Sequence, residues 1–287
     1  MASGPGSFKA APDGVGRHDD ALRQALLALN SGRPRDAELI AGGILQAEPQ
    51  HPRALQLLGC ALLMQGRAAD AIVPLERAAR ATCDPEVETQ LAMALRQSGR
   101  QQDALARLGR AVKRQPACPA AFLELGHLLL SLERYDEAID AFRRGVDVAP
   151  MMPQLSIQLG HALLARRACA EAQIAFRHAL EISPTSFEAL FGMAKAHQEI
   201  GENAPAVDYF RRALMSRPND DAAWLGLGHC LLELGDLNAG YECFRAASRG
   251  DPKRYGNALS SLAAAARGRA WLKPSAAAQF MRGTKNL

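Results

Sequence analysis

Three histidines recur inside one phrase, Leu125-Gly126-His127, Leu159-Gly160-His161 and Leu227-Gly228-His229. Imidazoles can ligate a metal, move a proton, or donate to carboxylates and carbonyls. Six cysteines (Cys60, Cys83, Cys118, Cys169, Cys230, Cys243) form no C-x-x-C pair and no Cys/His set at zinc spacing. They are expected to be small, buried or half-buried thiols of a reducing cytosol. Gly226-x-Gly228 lies inside a helical pattern rather than between strand and helix, which removes the dinucleotide reading. Gly-x-Ser-x-Gly, a phosphate loop and His-Glu-x-x-His are all missing from the chain. The sequence therefore predicts no enzyme and no cofactor.

The elements holding these residues are helices. The 287-residue chain is 48% apolar but only 5% aromatic, rich in Ala, Leu, Arg and Gln and poor in β-branched residues. Ala37, Ala71, Ala104, Ala138, Ala172, Ala206 and Gly240 are spaced by 34, except for one step of 33. Parallel columns run Ala25, Gly59, Ala92, Gly126, Gly160, Ala194, Gly228 and Ala78, Ala111, Gly145, Ala179, Ala213, Ala247. Prolines punctuate the period at 49, 116, 150, 184, 218 and 252, with Cys83 standing where the second would fall. Each unit is expected to be two helices around a short turn such as Gln65-Gly66-Arg67, Ser98-Gly99-Arg100 or Leu234-Gly235-Asp236. Small residues let the paired backbones approach, while Leu75, Leu108, Phe142, Phe176, Phe210 and Phe244 fill the space between units.

The pattern resembles the tetratricopeptide repeat, most closely in Trp224-x-x-Leu227-Gly228-x-x-Leu231 followed by Gly240, Phe244, Ala247 and Pro252. The resemblance spans residues 18–254 as seven units and implies an all-α, right-handed superhelical solenoid of antiparallel helix pairs. The third unit starts one residue early, in the loop Thr82–Pro85, and Pro74 should bend its helix. The first unit is degenerate and expected to be partly frayed. Residues 1–17, rich in Gly, Pro and Ala, are expected to be disordered. A capping helix is expected over 255–267, and a basic tail with a short helix over 268–287.

The resemblance also implies a concave face lined by the first helix of each unit. The ninth residue of each unit gives the column Leu26, Cys60, Met93, His127, His161, Lys195, His229. With Gln90, Arg96, Glu124 and Gln158 beside it, and Leu123, Ile157, Phe191 and Leu225 as apolar neighbours, this column is the candidate groove for a partner segment. Successive units stack roughly 10 Å apart, too far for histidines of neighbouring units to share one metal ion. The paired Lys and Asn with which some family members clamp a terminal carboxylate are missing from the corresponding places.

From Lys253 onward there are seven basic and no acidic residues. Against a net of +4 for the whole chain, this leaves residues 1–252 at −3. A near-neutral body argues against nucleic acid. Without an apolar leader in residues 1–17 or any long apolar stretch, the expectation is a cytoplasmic chain with no integral membrane association. Its Ala/Arg/Gly-rich usage suggests a bacterial origin. The expected function is a scaffold or adaptor that binds a protein or peptide segment. The alternative is an accessory subunit of a separately encoded enzyme such as a glycosyltransferase or sulfotransferase. Trp271, Leu272, Phe280 and Met281 on the basic tail give it the character of a cap or a self-association segment.

Overall fold

A computed structural model describes residues 18–248; the disordered segment, capping helix and tail expected at the two ends lie outside the described residues. Among the described residues there are fourteen helices and no strand. They are α1 (Asp19–Asn30), α2 (Pro34–Ala47), α3 (Pro52–Met64), α4 (Ala68–Thr82), α5 (Pro85–Gln97), α6 (Gln101–Ala111) and α7 (Pro119–Ser131), followed by α8 (Tyr135–Val148), α9 (Pro153–Ala165), α10 (Cys169–Ile182), α11 (Phe187–Glu199), α12 (Asn203–Ser216), α13 (Asp221–Glu233) and α14 (Leu237–Ser248). The chain forms two compact units that divide between Leu128 and Leu129. From α1 to α6 in the first unit and from α8 to α14 in the second, each helix packs on the next in sequence, and odd-numbered helices also meet, as α1 meets α3 and α9 meets α11.

The small columns account for this packing. Ala37, Ala71, Ala104, Ala138, Ala172 and Ala206 have no exposed surface, nor do Leu75, Phe142, Phe176, Phe210 and Phe244. A Cβ built on Gly59 would lie 2.4 Å from Leu75, and one on Gly160 would lie 2.6 Å from Phe176. Glycine there is a packing requirement. The first hairpin, expected to be frayed, is packed: Ala25, Ala37 and Ala41 are fully buried against Leu57 and Ala61. Three small residues suffice for its helices to close, even without the rest of the motif. α4 runs uninterrupted through the buried Pro74.

Prolines 52, 85, 119 and 153 open α3, α5, α7 and α9, where a missing N–H leaves no bond unmade. Asp84, Ser186 and Asp220 cap α5, α11 and α13 by accepting from backbone N–H groups of the first turn. The early start of the third unit falls at residues 83–84: Cys83 ends α4 in the left-handed region at φ 52°, and Asp84 caps α5 at once. Gly32, Gly66, Gly99, Gly201 and Gly235 take positive φ in the hairpin turns, whereas two turns place Glu133 and Arg167 in that region, at φ 58° and 59°. A side chain there costs roughly 1–2 kcal/mol, a local strain that the packed helices on either side outweigh.

Candidate functional site

In the first unit the predicted site residues are engaged with one another. Arg96 on α5 donates to Glu124 on α7 at 3.2 Å, with Glu124 largely covered. Gln90 accepts from Gln56 at 3.1 Å and donates to Glu86 at 3.2 Å. His127 is half-buried on α7. Gln90, Arg96 and Glu124 thus belong to a bonded polar surface.

The second unit differs. Phe191, Lys195, Gln198 and Glu199 of α11 face Ala222, Leu225, Gly226 and His229 of α13 across a cavity of about 490 Å³. Lys195 and His229, successive members of the ninth-residue column, therefore share one site with Phe191 and Leu225 as apolar wall. Lys195 Nζ donates to Gln198 Oε1 at 2.8 Å, which leaves two of its three protons for a ligand. His229 Nδ1 is buried and has no hydrogen-bond partner, and such a group gains from a partner that a ligand supplies.

What opens this cavity is the sixth residue of each unit, the place of the predicted groove residues Gln90, Glu124 and Gln158; the glycines that follow them in this column were not among the predicted site residues. Earlier units carry Gln90, Glu124 and Gln158 there, and the last two carry Gly192 and Gly226. A Cβ on Gly192 would stand 2.3 Å from Phe176, and one on Gly226 would stand 2.3 Å from Phe210. The glycines admit the two rings beneath and place no side chain above. The signal was visible as a change of residue type in a fixed column.

Two other predicted residues lie elsewhere in this unit. Gln158 is half-buried on α9. His161, also on α9, meets the edge of Phe176 with ring centroids 5.2 Å apart. Ile157 is buried with Ala179 and Ala189 and so belongs to the core rather than to an open floor.

Burial lowers the His161 pKa from its ordinary value of 6.5, with Glu188 pulling weakly the other way. Folded protein thus takes up this proton at lower pH than unfolded chain. Its contribution to stability is intact above pH 6.5 and declines as the pH falls from there towards the folded value. Replacing His161 by Gln should flatten the fall of the urea midpoint below pH 6.5; an unchanged slope would assign that loss to other groups.

Cys230 follows His229 directly, and Cys–His neighbours can make a nucleophile. Here burial holds the thiol at about 11, against the opposing pull of Lys195. At neutral pH it is a protonated core group without thiolate reactivity. Among the described residues no three His, Cys, Asp or Glu side chains gather as a metal site. All six cysteines are free, and no helix among the described residues is long and apolar enough to cross a membrane.

A tetratricopeptide repeat model matches residues 22–86, 89–153 and 123–187, and a second tetratricopeptide repeat model matches 201–266. The chain belongs to the tetratricopeptide repeat family. No curated protein matches it. Among solved structures it is similar to PilF of Pseudomonas aeruginosa, 18% identical, covering 73% of this chain and 96% of that one with a TM-score of 0.62. The C-terminal part of a repeat protein of Cytophaga hutchinsonii is 13% identical, with 84% and 99% covered and a TM-score of 0.65. YrrB, a tetratricopeptide repeat protein with an unusual peptide-binding site, is 20% identical, with 65% and 96% covered and a TM-score of 0.56. At these identities the likeness establishes the fold. The repeats and the repeat neighbours support a protein–protein interaction scaffold.

Proposed function

We propose that this protein is a non-catalytic cytoplasmic adaptor that holds an extended partner segment against the first helices, with α11 and α13 as its main recognition site. The observation that carries this reading is the convergence of Lys195 and His229 on one cavity walled by Phe191 and Leu225. An apolar side chain of the partner gains area against Phe191 and Leu225. An acidic side chain or carbonyl beside it accepts from Lys195 and from the unpartnered His229. Exposed Glu199 at the same cavity disfavours a second carboxylate and fixes register. The free thiols fit a reducing compartment.

An array of synthetic peptides in which Phe or Leu neighbours Asp, Glu, Asn or Gln tests this directly. Binding should select the acidic members, and anisotropy titration should show Lys195→Glu weakening the best of them at least tenfold, about 1.4 kcal/mol. His229→Ala should also weaken it, and His127→Ala in the first unit should not. Equal binding of acidic and amide peptides, or indifference to Lys195→Glu, would remove the assignment.

A further inference from the structure

Among the described residues that line the cavity between α11 and α13, Glu199 is the only carboxylate. It stands four places after Lys195 on α11, a spacing at which opposite charges on a helix normally close into a pair. Here they do not. Lys195 Nζ turns to Gln198 Oε1 at 2.8 Å, and the exposed Glu199 carboxylate makes no ion pair or hydrogen bond among the described residues. The cavity thus holds a cation and an anion, neither of them in an ion pair. Its side chains are also layered. Phe191, Lys195 and Glu199 follow one another at intervals of four residues on α11, and α13 repeats the order as Leu225, His229 and Glu233. Each interval rises about 6 Å along the helix axis. α7 and α9 carry an apolar residue and a histidine at the first two of these places, but Ser131 and Ala165 at the third. The acidic layer belongs to the same two helices that form the cavity.

We infer that the partner segment lies extended along the axes of α11 and α13, with a basic side chain two places from its acidic one and its apolar side chain two places to the other side. This rests on the assignment of the cavity as the partner site, and adds to it a third contact and a spacing. In an extended chain alternate side chains share one face, about 6.6–6.8 Å apart. That repeat matches the steps of about 6 Å between the layers of the cavity. The apolar side chain meets Phe191 and Leu225, the carboxylate meets Lys195 and His229, and the base meets Glu199. A segment laid across the helices would follow a single layer, from Lys195 to His229, and leave Glu199 unanswered. Because Glu199 is exposed, its pairing with a base contributes selection between partners more than raw affinity.

Anisotropy titrations of the full chain with the peptides Leu-Ser-Asp-Ser-Lys and Lys-Ser-Asp-Ser-Leu, each flanked by Gly and Ser, cover both chain directions. In the tighter-binding direction, changing the peptide lysine to glutamate should weaken binding about fivefold. Moving the lysine one place, onto the opposite face of the extended segment, should weaken it comparably. Glu199→Lys, a change at an exposed position that leaves the core untouched, should invert the order, so that the peptide with glutamate in place of lysine binds the tighter. Lysine and glutamate peptides that bind alike, while binding still needs the aspartate and Lys195, overturn this inference and leave the partner site standing. A preference for lysine that survives Glu199→Lys, or that is indifferent to its place in the peptide, overturns it too, since the attraction then lies elsewhere. Binding that needs neither the aspartate nor Lys195 removes the site itself and this inference with it.

Discussion

Truncation of Phe176 to alanine should destabilise the second unit by about 3–5 kcal/mol, near the upper end for a single core change. The ring has no exposed surface. It is gripped between two helix backbones that carry no side chain at the contact, Gly160 of α9 and Gly192 of α11, where a Cβ would lie 2.6 Å and 2.3 Å from it. The edge of His161 closes a third side at 5.2 Å. When the ring goes, neither glycine has a side chain to swing into the void. The helices could follow only by giving up their packing on α10 and α12. The cavity therefore persists, and the full cavity cost falls on the folded state. Ile174 on the same helix is 64% exposed, and its truncation should stay within about 0.5 kcal/mol. Urea unfolding of both variants against the parent measures the difference. A Phe176→Ala cost close to that of Ile174→Ala would show that α9 and α11 collapse freely, against the packing described above.

Much of the fold was legible because close helix crossing imposes a demand on residue size that cannot be met in another way. Ala71, Ala104 and Ala138 repeat for that reason, and each is buried without remainder. The proline joints were legible because proline both ends one helix and opens the next. Glu133 and Arg167 were not, since nothing about an exposed polar residue announces a left-handed φ; only the surrounding turn geometry imposes it. The candidate site was legible in part. The ninth-residue column pointed to Lys195 and His229, but the same argument grouped them with Arg96 and Glu124, which are bonded to each other. Whether a polar residue on a first helix is free or satisfied depends on its neighbour one helix away, and periodicity does not supply that neighbour. The cavity depends on Gly192 and Gly226, whose importance lies in the rings behind them. A glycine inside a helix looks like weakness until Phe176 and Phe210 are placed.

Adding a single methyl group at Gly226 should cost about 1–3 kcal/mol even though alanine is the better helix former by about 1 kcal/mol. The new Cβ would lie 2.3 Å from the tip of the Phe210 ring, so something must move. Phe210 is fully buried and meets Phe191 edge-on at 5.7 Å, and Phe191 in turn stacks on Phe187 at 5.7 Å. Displacing Phe210 therefore pushes Phe191 towards the cavity that it lines with Lys195 and His229, so the loss should reach binding as well as stability. Second-site compensation separates this account from a plain helix effect. Leucine stands at the Phe210 place in two other units, as Leu75 and Leu108, so the shorter side chain is one this packing layer accepts. Gly226→Ala combined with Phe210→Leu should then cost clearly less than the sum of the two alone, because their atoms compete for one volume. Gly109→Ala, whose Cβ meets nothing within 4 Å, should instead stabilise by up to about 1 kcal/mol. Denaturant midpoints for the four variants decide the matter. If Gly226→Ala is as stable as the parent, or the double variant is simply additive, the close approach of α13 to Phe210 is not what keeps glycine at this position.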